Sequence, residues 1–267
     1  MTRMPVTITL IVINVVIFVA MFASQDLDTK ISLNGFAQPL LIAEDGFGQW
    51  WRLFTSMFIH LSITHIAFNM FALFIFGRVL EPLFGRAWFI VLYLASGLVG
   101  GAVYVLIVSV GGPPAAGASG AIFGLFGAMF ALAFRRRATP EGRALFGQVI
   151  GLLVINLLIG FIVPGIAWQA HLGGLLAGFA IAAVFDQWQE WRPRVAVVAG
   201  AIVFCVLVVL FKPVPEATQR QIESGQLVAA GELTQTRNGG GIDTGHYLAE
   251  RGLQIAEPDR GGRGITA

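Results

Sequence analysis

"GASGAIFG", residues 117–124, sets a lone hydroxyl, that of Ser119, among glycines and alanines at the mouth of an apolar run with no charge before Arg135. A run of that kind over 118–134 reads as a membrane helix. Its hydroxyl admits three readings: it lets helices pack closely, it binds something, or it attacks something.

The rest of the chain supplies the setting. Of 267 residues, 56% are hydrophobic and only 12% charged, with a mean hydropathy of +0.77. That leaves too little polar surface to enclose a water-soluble globule. Apolar runs over 6–24, 56–80, 84–110, 118–134, 145–163, 167–186 and 194–211 each approach the ~20 residues that cross a hydrocarbon core. The expected fold is therefore an all-α polytopic membrane bundle. Residues 1–24 read as a retained span and not a signal peptide, because no small-x-small cleavage site follows the run.

Charge placement orients the bundle. With the N-terminus inside, Arg3, Arg78, Arg86, Arg135, Arg136, Arg137, Arg143, Arg192 and Arg194 lie on the cytoplasmic side, and only Lys30, Arg52 and Lys212 flank helix ends outside. This is the positive-inside pattern. A formal net charge of +2 gives no case for nucleic acid, and the single cysteine, Cys205, excludes an internal disulfide. No HExxH pair accompanies the histidines, so no metal site is expected.

Ionisable groups inside spans are costly and face a bundle interior or a wet cavity. Three of the four histidines lie in or at the mouths of spans. The second, fourth and sixth spans all run inward, so distance from the start of each measures depth. Ser119 and His171 then lie near the outer surface, and His65 and Asn69 fall roughly 13–20 Å below the start of the second span at 1.5 Å per residue. His65 and Asn69 share a helical face at i,i+4, whereas His60 lies off it and is placed to shape the outer loop. Gly120, Gly124 and Gly127 after Ser119, and Gly174 and Gly178 after His171, form small-residue stripes that allow close helix approach. Pressing the stripes together brings Ser119 beside His171. A serine is a poor nucleophile until a base takes its proton, and a neutral imidazole is the usual base. Glu81 and Asp186 lie near the inner surface, so any such dyad has no orienting carboxylate. Asn69, His65 and the Ser119 backbone N–H are the donors at hand for an oxyanion.

"HLSITHIAFN", "GASGAIFG" and "AHLGGLLAG", in this order and after "WWR", resemble the rhomboid family of intramembrane serine proteases over roughly residues 6–187. The resemblance implies a six-helix core, here with a seventh C-terminal helix, that hydrolyses peptide bonds of membrane-spanning substrates with no cofactor. It implies Ser119 as nucleophile, His171 as base and later acid, and His65, Asn69 and the Ser119 amide as the oxyanion hole. Gly117 opens the strained approach to Ser119, and Gly174 allows the helix contact. Trp51 and Arg52 match an outer-loop motif that steadies the fold at the membrane interface, and Glu81 a structural acid. Phe123 stands where the family often has a ring packed on the histidine, commonly Tyr.

Three regions are expected: a catalytic core over 1–187, a seventh transmembrane helix within 188–212, and a polar, Gly-rich tail over 213–267, largely disordered or weakly helical. The lipid bilayer and transmembrane protein substrates are the expected partners, and the cell membrane the expected location, with the site opening to the extracytoplasmic side. A channel or transporter built on the same polar half-cavity, or a scaffold that binds membrane clients without cutting them, remains an alternative on the residues alone.

Overall fold

Each of the seven apolar runs forms one long helix in the computed structural model, which describes residues 4–43, 48–187, 191–223, 227–228 and 254–255. They are α1 (Pro5–Ala23), α5 (Ile63–Phe84), α6 (Arg86–Ile107), α7 (Ser119–Arg136), α8 (Pro140–Ile162), α9 (Trp168–Gln187) and α10 (Trp191–Phe211). Three short helices, α2 (Gln25–Gly35), α3 (Pro39–Ile42) and α4 (Arg52–Thr55), fill the outer loop, and α11 (Glu216–Glu223) follows α10. Beyond α11, Leu227–Val228 pairs with Gln254–Ile255. The remainder of the tail expected over 213–267 lies outside the described residues.

Two starts differ from the hydropathy reading, for local chemical reasons. The second span begins at Ile63 and not at residue 56, because Ser62 caps α5 by accepting from the His65 N–H at 3.1 Å. The residues at the start of that run, Ser56–Phe58, form a single 3-10 turn. Similarly, α8 starts at Pro140 and not at 145. Thr139 caps it by accepting from the Gly142 N–H at 3.1 Å, and the proline occupies a first-turn position that needs no intrahelical donor. Arg143 therefore lies in the first turn of α8.

Six of the seven helices are long and apolar enough to cross a membrane by length and composition alone, and α7 is the exception. Its 18 residues include the terminal Arg135 and Arg136, which lower the average of an otherwise apolar run. It is also the central helix, with every residue from Gly120 to Ala128 buried. In contrast, α8 is peripheral and exposes Leu152, Ile155, Leu158, Ile159 and Ile162.

Helices in lipid gain no hydrophobic drive from meeting each other, so close packing of small residues has to hold them. A methyl group added at Gly174 would overlap the Gly120 carbonyl oxygen, and one at Gly178 the Gly124 carbonyl oxygen. These overlaps fix α9 against α7. A third stripe, on α6, completes the contact: Gly100 lies against the Ala170 carbonyl and the Gly120 Cα, and Ser96 against Gly124. On the far side, α1 is pinned to α5 by Glu81, 2% exposed. Its carboxylate accepts from Val6 N–H (3.0 Å), Thr7 N–H (2.8 Å) and the Thr7 hydroxyl (2.6 Å). The acid thus satisfies N–H groups that the first turn of a helix leaves without partners. The seventh span, α10, runs along α6 and α9.

Candidate active site

Ser119 is the first residue of α7, and His171 lies in the first turn of α9. The stripe contacts hold these two helix starts level, and the His171 Nε2 stands 2.9 Å from the Ser119 Oγ. His171 is 7% exposed. The Phe123 ring, one turn along α7, lies flat against its imidazole, with centroids 4.1 Å apart and planes 9° from parallel. The other imidazole nitrogen, Nδ1, has no hydrogen-bond partner among the described residues, so no carboxylate orients the ring. Packing between Phe123 and α8, near Gly160, takes that role.

The approach to Ser119 is bent by Gly117, whose φ of +125° is open to glycine and strained for other residues. A Cβ there would also stand 2.7 Å from the His65 Nε2 and 3.8 Å from the Ser119 Oγ. The missing side chain leaves a niche onto which the imidazole of His65 and the serine hydroxyl both border. The Ser119 N–H, at the first helical position, has no acceptor within its own helix, and the dipole of α7 favours negative charge beside it. Asn69, buried one turn below His65, donates one amide hydrogen to the His65 carbonyl at 2.9 Å and keeps a second. Because α5 starts at Ile63, His65 lies in its first turn, closer to the outer end than the 13–20 Å expected from a span starting at residue 56.

The outer loop holds this arrangement. His60, 1% exposed, packs edge-on against His65 with centroids 4.9 Å apart and accepts from the Ala118 N–H at 3.4 Å. Burial, chiefly, and the charge of His65 push the His60 imidazole down to about 4, against a weaker opposing contact with the Phe58 carbonyl. His60 therefore remains a neutral acceptor for that amide. Arg52 is also buried, 1% exposed. It donates to Gln49 Oε1 (2.6 Å), the Phe36 carbonyl (3.1 Å) and the Leu33 carbonyl (2.7 Å), so it ties α4 to the end of α2. Burial lowers its guanidinium to about 10. Trp50 and Trp51 remain exposed, as indoles at a headgroup boundary do.

Three contacts at the site have no counterpart in the sequence reading. Ala37 and Ala115 exchange backbone hydrogen bonds of 2.9 and 2.8 Å, and the Gly117 N–H donates to the Ser56 carbonyl at 2.9 Å. The third is the α6 stripe of Ser96, Gly97 and Gly100. Only the last carried a signal, the small-residue spacing of "ASGLVGG", the same kind as in α7 and α9. Among the described residues, no three His, Cys, Asp or Glu side chains converge as metal ligands.

A Rhomboid domain model matches residues 47–188. "Rhomboid protease GluP" of Bacillus subtilis is 38% identical over 160 residues, which cover 60% of this chain and 30% of that protein. "Putative rhomboid protease YdcA" of the same organism is 37% identical over 146 residues, 54% of this chain and 72% of that protein. "Rhomboid-like protease 1" of Toxoplasma gondii is 28% identical over 206 residues, 69% and 68% of the two chains. The chain thus spans less than a third of the length of the first of these relatives and about two thirds or more of the other two.

Proposed function

This chain belongs to the rhomboid family, and from that premise we propose that it is an intramembrane serine endopeptidase acting by a Ser119–His171 dyad. The observation that carries the reading is the 2.9 Å contact between the Ser119 Oγ and the His171 Nε2. That is hydrogen-bond reach for a nucleophile and its base.

In the proposed reaction, His171 Nε2 takes the Ser119 proton as Oγ bonds to the scissile carbonyl carbon. The carbonyl oxygen becomes an oxyanion in the niche beside Gly117, where the Ser119 N–H, His65 Nε2–H and Asn69 amide donate to it. The intermediate collapses, the C–N bond breaks, and His171 returns the proton to the leaving amine. Water then attacks the acyl-enzyme with His171 again as base, releasing the acid and restoring Ser119. No step calls for a metal or cofactor. Phe123 keeps the imidazole in plane through both halves.

The substrates are transmembrane proteins. A carbonyl inside a helix is shielded by its own hydrogen bonds, so the substrate segment unwinds near its outer end before attack. Orientation follows from charge: Arg135 and Arg136 end the helix that Ser119 begins, and Arg78 and Arg86 flank the α5–α6 turn. The basic end faces the cytoplasm, and the site opens to the extracytoplasmic side of the cell membrane. Of the three outer cations, Arg52 and Lys212 are engaged with carbonyls, which leaves Lys30, itself paired with Asp26. In liposomes holding a single-span substrate with small residues near its outer end, the wild type should release two fragments and Ser119→Ala none. Equal product from both would refute the assignment.

A further inference from the structure

We propose that Lys212, just past the seventh span, is a positioning residue for Ser119, acting through the segment that joins α6 to α7; the inference rests on the protease reading above. The Lys212 Nζ donates to the Leu106 carbonyl at 3.2 Å and the Val108 carbonyl at 2.6 Å. Leu106 lies in the last turn of α6, where a helix end leaves carbonyls short of intrahelical donors, and Val108 is the extended residue that caps it; a cation there also complements the helix dipole. The lysine as a whole is 6% exposed. Two residues on, Val214 packs with Leu40, Ala43 and Val110, so the chain leaving α10 clamps the beginning of the joining segment from two sides.

From that anchor the segment runs to the nucleophile through successive fixed points. The Tyr104 hydroxyl donates to the Pro113 carbonyl, Ala115 pairs with Ala37, and the Gly117 N–H meets the Ser56 carbonyl. Gly117 then sets the entry to Ser119. Between the Lys212 anchor and Pro113 the chain makes one tight turn, closed by the Gly112 N–H on the Ser109 carbonyl at 2.9 Å, with Gly112 packed directly against Val108, so a displacement of Val108 is passed on to Pro113. A shift delivered to Gly117 moves the Ser119 Oγ relative to His171, and displacement of a reacting group by about 1 Å can lower rate by about 10²-fold. If Lys212 were purely a stabilising cap on α6, its loss would lower the melting temperature and leave turnover by the folded enzyme unchanged. If it is a positioning residue, its loss lowers kcat.

The test compares full-length wild type, Lys212→Met and Lys212→Arg in liposomes. It measures kcat and KM for a single-span substrate and the rate at which a fluorophosphonate labels Ser119. Lys212→Met should lower kcat and labelling rate together by about tenfold or more with KM unchanged, and Lys212→Arg, which keeps a charged donor, should restore both. Wild-type kcat and labelling in Lys212→Met, or a change confined to KM, would overturn the proposal. If Lys212→Met does not fold, Lys212→Gln, with one amide donor left, takes its place: an intermediate rate supports positioning and a wild-type rate overturns it. Failure of the protease reading is separate, because then the wild type itself is not labelled at Ser119.

Discussion

The Phe123 ring lies parallel to the His171 imidazole, 4.1 Å from it between centroids, on the same helix that begins with Ser119. One helix therefore supplies both the hydroxyl and the plate that holds its base. With Nδ1 of His171 unbonded among the described residues, ring orientation depends on this face. Phe123→Leu should lower kcat about tenfold to a hundredfold with little change in KM, and Phe123→Tyr, which keeps the ring, should stay near wild type. Steady-state cleavage of one substrate by both variants checks this, and equal rates in Leu and Phe enzymes would remove the plate from the account.

Gly117→Ala meets two obstacles at once, a φ of +125° and a Cβ 2.7 Å from the His65 Nε2. The variant should retain its helical circular dichroism and lose at least about 10²-fold in kcat, the scale of losing one oxyanion donor. Retained turnover would mean that the niche beside Gly117 is not where the oxyanion sits.

Glu81 holds three donors of α1. Glu81→Gln presents an N–H toward donors in place of one acceptor, and the unmatched groups should destabilise the fold by about 1–3 kcal/mol. Thermal unfolding in detergent micelles measures it. A melting temperature equal to wild type would show that α1 docks without the carboxylate.

His60 gives a signed pH dependence. Its folded value, about 4, lies below the ~6.5 of a free imidazole, so between these values the unfolded chain binds the extra proton. Stability should be full above about pH 6.5 and fall as pH drops toward 4, where the loss levels off. His60→Asn should flatten part of that slope in melts taken across the range. An unchanged slope would place the acid sensitivity on other groups.

The parts of the fold that could be read from sequence are those written in period and spacing. Gly120 and Gly124 against Gly174 and Gly178 mark which helices touch and in what register, and that register alone brings Ser119 and His171 level. Apolar composition fails at helix ends. "SMFIHLSI" is as greasy as a span, and only the capping side chain of Ser62 separates the 3-10 turn from α5. Thr139 before Pro140 is the same signal for α8. The outer loop was the least legible region. Its hold on Gly117 runs through backbone groups of Ala37, Ala115 and Ser56, and backbone pairing between small residues leaves no side-chain pattern to find. Burial of Lys212 against carbonyls is equally silent in sequence, since it reads as one more interfacial cation.

Covalent labelling of the reconstituted wild type by a fluorophosphonate, with the modified peptide identified by mass spectrometry, bears most directly on the dyad. The account predicts one adduct, on Ser119, absent in Ser119→Ala and slowed at least about 10²-fold in His171→Ala, where no base takes the proton. An adduct on another residue, or labelling of Ser119 at the same rate with and without the imidazole, would contradict it.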